Sequence, residues 1–192
     1  MFEIITEAIV LDKEDLGESD SRVFLYTKDL GKVAAKATSL RKITSKLAAH
    51  LEPFNWVTAR LVSRSDFADS RNFQLAEALL IDNAGDLKSN PANLRQAIEA
   101  VNLIRKSIPE SAPDENLWQV LQNIRSQKTI YSIQEILKIL GLDLEFAGCE
   151  LCRKPGPEYF YPRGNFFTCR TCRLASKETK ENFIRLCALI QK

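Results

Sequence analysis

Two pairs of cysteines near the C-terminal end constrain the fold of this chain more than any other feature. Cys149 and Cys152 form one C-x-x-C pair, and Cys169 and Cys172 form a second pair after sixteen intervening residues. Two intervening residues let both sulfurs of a pair face one ion, and two such pairs complete a tetrahedral site. The spacing predicts one structural Zn²⁺ ion. Rubredoxin-like iron is the alternative metal, and free thiols or two redox pairs are the alternatives to a metal.

The residues between the two pairs predict a short β-hairpin. Aromatic residues at 159–161 and 166–167 flank a Gly-Asn turn, and such a hairpin would bring the two cysteine pairs together. We therefore expect a zinc finger with four cysteine ligands over residues 149–172. A site closed by four thiolates has no open coordination position, so the ion would be structural and not catalytic.

Helical spacing of apolar residues predicts that this finger is inserted in an α-helical domain over residues 82–192. The polar stretch 82–90 is a predicted domain boundary, and the lone Cys187 is expected to be buried on the apolar face of the last helix. The predicted helices start at Asn90-Pro91 and at Pro113-Asp114, cover Ser132–Leu140 with Gly141 as the stop, and cover Glu178–Ile190.

Residues 1–81 carry β-type patterns and predict a separate domain. Five short strands with one longer excursion suit a Greek-key barrel of the OB type, and an SH3-like barrel is the alternative. The fold class is therefore α+β: an N-terminal OB-fold β-barrel followed by the helical domain. The expected strand segments are Ile4–Leu11, Val23–Thr27, Lys32–Thr38, Phe54–Val62 and Asn72–Ile81, the last of which is also compatible with a helix.

Charge is unevenly distributed, although the net charge is only +2. The first twenty residues are acidic, whereas basic residues dominate from Arg22 to Arg64, opposed only by Asp29 and Glu52. Clustered Lys and Arg residues attract phosphates, and local potential steers a polyanion more than total charge does. The basic stretch is therefore a candidate nucleic-acid surface, with a solvated loop as the alternative. The acidic stretch is expected to be a solvated edge.

The sequence argues against an enzyme and against a membrane protein. It has no P-loop, no G-x-G-x-x-G turn, no nucleophile elbow and no H-E-x-x-H helix, and His50 is its only histidine. Met1-Phe2-Glu3 lacks the basic start of a signal peptide, and no apolar run approaches the ~18 residues of a membrane span. We expect a cytoplasmic protein whose cysteines are thiols or metal ligands.

Several segments of the chain resemble, in order, the RecO family of bacterial recombination mediators. The two C-x-x-C pairs between helices are similar to the zinc finger found in many members of that family. The segments that carry the resemblance are Gly17–Arg22, Thr27–Val33, Arg41–Leu47, His50–Phe54 and Gln74–Ala78.

The resemblance implies a DNA repair and recombination function. Members bind single- and double-stranded DNA, anneal complementary strands and assist RecA loading on DNA coated with single-strand-binding protein, with RecR as a further partner. Many members have a basic residue close before the Arg41-Lys42 pair, where this chain has Thr38-Ser39. Lys36, two residues earlier on the same strand face, is expected to substitute. The resemblance thus implies DNA contacts by Arg22, Lys32, Lys36, Arg41, Lys42 and Lys46.

A zinc-ribbon module of a transcription or ribosome-associated protein, which would bind RNA, is the alternative function. Strand annealing without ATP favours the RecO-like function, whereas a preference for structured RNA favours the alternative.

Overall fold

The structure is a computed structural model of α+β class that describes residues 2–63, 73–126 and 133–186. It separates into two compact units, each of which draws on two segments of the chain. The first unit comprises Met1–Leu94 and Ile108–Lys128, and the second comprises Arg95–Ser107 and Thr129–Lys192. The division into domains at 1–81 and 82–192 stays a prediction.

Five strands of the first unit close into a barrel in the order β1-β2-β3-β5-β4. The β3–β5 pair is parallel and the other neighbouring pairs are antiparallel. The fifth segment pairs with β4 along most of its length, which settles its conformation as a strand. This confirms the predicted OB-like barrel. The strands are β1 (Phe2–Leu16), β2 (Asp20–Thr27), β3 (Gly31–Ala37), β4 (Trp56–Ser63) and β5 (Phe73–Asp82).

Alternating side chains fill the barrel. Val23 and Leu25 on β2 and Val33 and Ala35 on β3 are fully buried, whereas Arg22, which precedes Val23 in sequence, points outward and is exposed. This alternation follows from the two-residue period of a strand. Residues of the β3–β4 loop, including Leu40 and Leu51, also join the core.

Two helices of the first unit follow the barrel strands: α1 (Gly85–Ser89) and α3 (Glu115–Arg125). Asp114 caps α3 by accepting a hydrogen bond from the Leu117 backbone N–H at 3.0 Å. The Trp118 ring lies 5.1 Å from the Trp56 ring and 6.4 Å from the Tyr26 ring, measured between centroids. All three residues are no more than 2% exposed, so α3 packs on the outer face of the barrel through aromatic contacts.

The turn between β2 and β3 can hold only glycine at position 31. Gly31 has a φ of +67°, in the left-handed region. A Cβ atom there would also overlap the backbone carbonyl of Ala112, in the segment that leads into α3. The β2–β3 connection and the segment before α3 can therefore approach this closely only because glycine has no Cβ atom.

The second unit contains helices and a small three-stranded sheet. Its sheet has the order β7-β6-β8, and β6 and β7 form the hairpin that the sequence predicts between the cysteine pairs. Helix α2 begins at Pro91, where the Asn90 side chain accepts hydrogen bonds from two backbone N–H groups. Helix α2 (Pro91–Ser107) starts within the first unit and belongs to the second unit from Arg95 onward. The remaining elements of the second unit are α4 (Ile133–Ile139), β6 (Tyr159–Tyr161), β7 (Phe166–Thr168), α5 (Arg170–Ala175), a 3-10 turn (Lys180–Asn182) and β8 (Ile184–Arg185).

The polar stretch 82–90, which the sequence predicts as a domain boundary, contains the short helix α1, in which Leu87 is 1% exposed. One sequence-based expectation about helices is wrong. The last predicted helix is absent over residues 178–186, where a 3-10 turn and β8 stand instead. Ile184 pairs with Phe160 of β6, so the edge of the hairpin supplies hydrogen-bond partners that override helical spacing. Cys187 and the rest of that predicted helix lie outside the described residues.

Candidate nucleic-acid interface and metal centre

Two of the six predicted DNA-contacting cations are direct neighbours on the outer face of the barrel. Arg22 on β2 lies opposite Lys36 on β3 in the antiparallel register, and both side chains are exposed. Directly opposed residues have Cβ atoms about 4.5–5.5 Å apart, and like charges at that separation repel each other. A bound anion would relieve this repulsion.

The start of the β3–β4 loop brings further cations to the same end of the barrel. The Arg41 backbone N–H donates to the Ser19 carbonyl at 3.0 Å, and the Ser39 backbone N–H donates to Asp20 Oδ1 at 2.8 Å. The Arg41 guanidinium donates to the Gly17 carbonyl at 3.0 Å. These bonds tie the loop to the β1–β2 turn, so Arg41 lies beside the strand ends that carry Arg22.

Carboxylates of the acidic β1–β2 segment pair with two of these cations. Lys36 Nζ lies 2.8 Å from Asp20 Oδ2, and Arg41 Nη1 lies 3.3 Å from Asp15 Oδ2. The Lys36 ammonium and the Ser39 backbone N–H lower the pKa of Asp20 by hydrogen bonding to its charged form. The cations in these pairs keep 51% and 42% of their side-chain surface exposed. Solvent screens ion pairs as exposed as these, so each is weak and a phosphate could replace the carboxylate.

The sequence predicts only a solvated acidic edge here and misses this pairing. The signal in the sequence is the change from acidic to basic residues around position 21, which brings opposite charges together once the chain turns back.

The other three predicted cations are spread more widely. Lys42 and Lys46 are exposed in the β3–β4 loop, and Lys42 directly follows Arg41. Lys32 is half-buried at the opposite end of β3, opposite Tyr26. Lys36 is four residues further along the strand than Lys32, which corresponds to a distance of about 13 Å. The structure thus brings together Arg22, Lys36 and Arg41, places Lys42 next to Arg41 in the chain and Lys46 further along the same loop, and separates Lys32 from them.

Exposed aromatic rings are the side chains on which bases stack in many single-strand-binding barrels. Of four aromatic residues of this barrel and its β3–β4 loop, Phe24, Tyr26, Phe54 and Trp56, three are part of the core. Tyr26, Phe54 and Trp56 are 0%, 7% and 1% exposed, and Phe24 on β2 is partly exposed. Phe24 is two residues from Arg22 and therefore on the same outer face. Of these four rings, it is the one most accessible to solvent.

The four paired cysteines converge in the second unit. Their Sγ atoms all lie within 4.8 Å of one another, and the Sγ atoms of Cys152 and Cys169 are 3.8 Å apart. Sulfurs held about 2.3 Å from a central tetrahedral ion would be about 3.8 Å apart. The four side chains therefore fit a metal ion of tetrahedral coordination.

The surroundings of the cluster stabilise the thiolate of Cys149 and the protonated thiol of Cys172. Burial raises the pKa of Cys149, but backbone N–H groups of Cys152, Cys169 and Leu151 and the Thr168 hydroxyl stabilise the thiolate and bring the pKa to about 5. The pKa of Cys172 rises to about 12, because its thiol hydrogen-bonds to the Cys152 and Cys169 sulfurs and lies beside Cys149. A cation at the centre of the cluster would attract all four sulfurs in their charged form and so favour four thiolates.

The hairpin beside the cluster is packed by aromatic rings. Tyr161 lies 5.0 Å from both Phe166 and Phe183, measured between ring centroids. Arg173 covers the Tyr159 ring at 4.3 Å and donates to the Lys180 carbonyl at 3.0 Å. Arg173 is therefore engaged in holding the finger together.

Comparison with known proteins points to one family. The family model described as "Recombination protein O N terminal" matches residues 1–77. A DNA repair protein RecO of Thermodesulfovibrio yellowstonii is 29% identical over 177 residues, which cover 87% of this chain and 69% of the relative. The chain is therefore similar to the RecO family over most of its length. The DNA repair protein RecO of Bacillus pumilus is 27% identical, covering 88% of this chain and 68% of the relative. That of Bacillus subtilis is 24% identical, covering 86% and 67%.

The family model covers strands β1 to β4 and the first half of β5, so the RecO N-terminal domain corresponds to the barrel. All six candidate cations lie within this match. The cysteine cluster lies beyond residue 77, in a part of the chain that the family model does not cover.

Among the described residues, none of the helices combines the length and the apolar character that crossing a bilayer requires.

Proposed function

We propose that the protein is a DNA-binding recombination mediator in DNA repair. It binds single- and double-stranded DNA, anneals complementary strands and assists RecA loading on DNA coated with single-strand-binding protein. Two similarities support this: the match to the RecO N-terminal domain and relatives that are named DNA repair protein RecO. RecR and single-strand-binding protein are the proposed direct partners, RecA is an indirect one, and the cytoplasmic nucleoid is the proposed location.

The observation that carries the proposal is the group of cations at one end of the barrel. Arg22 and Lys36 oppose each other across β2 and β3, and Arg41 and Lys42 follow at the start of the adjoining loop. Strands 2 and 3 of an OB barrel form the face that binds oligonucleotides in many such folds. The six predicted contacts, including Lys46 and the more distant Lys32, would follow the backbone along this face.

The proposed mechanism needs no bond-making chemistry, and we propose that the protein is not an enzyme. Cations that bind phosphates release counterions, so affinity would fall steeply as salt concentration rises. When two strands are bound by their backbones, the repulsion between them is reduced and their bases can pair.

We propose that Cys149, Cys152, Cys169 and Cys172 bind one structural Zn²⁺ ion. Zinc is favoured over iron because a cluster of four thiolates with no open position is typical of structural zinc sites. The bound ion would cross-link the two cysteine pairs. The four side chains supply the ligands, and the backbone N–H groups around Cys149 hold its sulfur in the thiolate form.

A strand-annealing and gel-shift experiment over a salt series tests the function. Complementary single strands, a duplex and a structured RNA are each mixed with the full chain in the absence of ATP. We expect annealing without ATP and affinity for both DNA forms that decreases with salt. Absence of annealing together with tighter binding to structured RNA would contradict the proposal and favour a zinc-ribbon RNA-binding module.

A further inference from the structure

One large apolar side chain lies among the cations of the β3–β4 loop. Ile43 is 106% exposed, the highest value among the exposed large hydrophobic residues of the described chain. It directly follows Lys42, and Lys46 is three residues further on; both of these side chains are exposed. An aliphatic side chain at this position contacts nothing that shields it from water, so a partner that buried it would gain free energy.

The backbone around Ile43 is held in place. The Ser45 N–H donates to the Lys42 carbonyl at 2.8 Å, and the Lys42 N–H donates to the Ser39 carbonyl at 3.2 Å. Leu40, before the turn, is 4% exposed, and Leu47, after it, packs against the barrel core. Because both ends of this short segment are anchored in the core, the turn presents Ile43 to solvent.

The charges next to Ile43 indicate which kind of partner would bury its side chain. Arg41 and Lys42 attract phosphates, and the bases lie next to the phosphates along a strand. Apolar side chains such as isoleucine act as wedges between base steps in several DNA-binding proteins.

Isolated exposed aliphatic residues are common on proteins. Ile5 on β1 is one, 64% exposed, but it stands between the exposed acidic residues Glu3 and Glu7.

We propose that Ile43 inserts between neighbouring bases of a DNA strand whose phosphates are bound by Arg41 and Lys42. This inference rests on the proposed DNA-binding function and assigns to the loop an apolar contact with the bases in addition to the phosphate contacts of the cations. The wedge would unstack two bases without reading their identity, because every base presents an apolar face.

Fluorescence of 2-aminopurine in a single-stranded oligonucleotide tests the inference, because this base becomes brighter when it is unstacked. Saturating wild-type protein is expected to increase the fluorescence. Ile43→Ala removes three carbons that the proposed insertion would partly bury, so it is expected to abolish the increase and to weaken binding about tenfold. Ile43→Leu should retain both properties, and the matched control Ile5→Ala should behave as the wild type. Thermal melting of each variant checks that it is folded.

The outcomes separate this inference from the proposed function. If the wild type binds DNA with the expected salt dependence but Ile43→Ala keeps the full fluorescence increase and an affinity within about twofold of wild type, only the wedge is wrong. If the wild type does not bind DNA at all, the proposed function fails as well. Binding to phosphatidylserine vesicles that depends on Ile43, with no change in 2-aminopurine fluorescence, would overturn the wedge in favour of a membrane contact.

Discussion

Replacing Arg41 and Lys42 by alanine is expected to weaken DNA binding while leaving the fold intact. Both side chains are exposed at the end of the barrel where Arg22 and Lys36 oppose each other. The double substitution removes two proposed phosphate contacts. It also leaves Asp15, the ion-pair partner of Arg41 at 3.3 Å, as an unopposed negative charge beside the DNA.

The size of the effect follows from counterion release. Each phosphate contact to a single strand contributes about 0.7 to the slope of log affinity against log salt concentration, so the slope should flatten by about 1.4. If the variant and the wild type bind equally at ~1 M salt, the flatter slope makes the variant bind about 25-fold more weakly than the wild type at ~0.1 M salt. The lost Arg41–Asp15 ion pair is exposed and contributes no more than about 1 kcal/mol to stability. The melting temperature should therefore fall by no more than about 4 °C.

Fluorescence anisotropy with a labelled single strand, measured from about 50 to 300 mM salt, gives the dissociation constants and the slope. Arg60→Ala is the matched control. The Arg60 side chain is 43% exposed and pairs with Glu3 at 2.7 Å, much as Arg41 pairs with Asp15. It lies on β4, whose neighbours in the barrel are β1 and β5, away from the β2–β3 face. We expect its removal to leave the slope unchanged.

An unchanged slope and an affinity within about twofold of wild type in the folded double variant would show that this end of the barrel does not bind phosphates. An equal loss in Arg60→Ala would show that the effect comes from net charge and not from the proposed surface.

Four other perturbations test the remaining ion pair, the metal site, the aromatic packing and the buried tyrosine. Asp20→Asn frees Lys36 from its ion pair and should raise DNA affinity about two- to fivefold in the same anisotropy measurement, whereas a decrease would count against competition between carboxylate and phosphate. Cys149→Ser should lower the metal content of the purified protein and destabilise the finger; a full equivalent of metal with wild-type stability would argue against the site. Trp118→Ala should cost about 3–5 kcal/mol in urea unfolding, because the residue is 2% exposed, and Trp118→Phe should cost less. Burial raises the pKa of Tyr26 from 10.0 to about 12, so its stabilising effect is present below pH 10.0 and is lost as the pH rises through about 12. An ultraviolet titration should show this late ionisation, and Tyr26→Phe should remove it.

Features of the fold that depend on nearby residues could be predicted from the sequence. The cysteine pairs, the hairpin between them and the start of α2 at Asn90-Pro91 all follow from spacing and capping over a few residues. The barrel strands were recognisable because alternation of apolar and polar residues is also local. The strand order did not follow from this alternation, because the same five segments suit an SH3-like barrel, and only the structure shows the order β1-β2-β3-β5-β4.

Features that depend on distant neighbours could not be predicted in this way. Residues 184–185 form a strand because β6 offers its edge, although their spacing is helical. Tyr26 and Trp56 are buried because Trp118, far along the chain, packs against both rings. Periodicity carries no information about either partner, since each contact joins segments that are separated by many residues.

The candidate surface shows the same division. The amino-acid order established which cations are available and that an acidic segment precedes them. Folding established that Asp15 and Asp20 reach Arg41 and Lys36, that Lys32 lies about 13 Å from Lys36, and that the turn after Lys42 exposes Ile43. The physical reason is that charge and hydropathy belong to single residues, whereas ion pairing and exposure belong to pairs of segments brought together by the closed barrel.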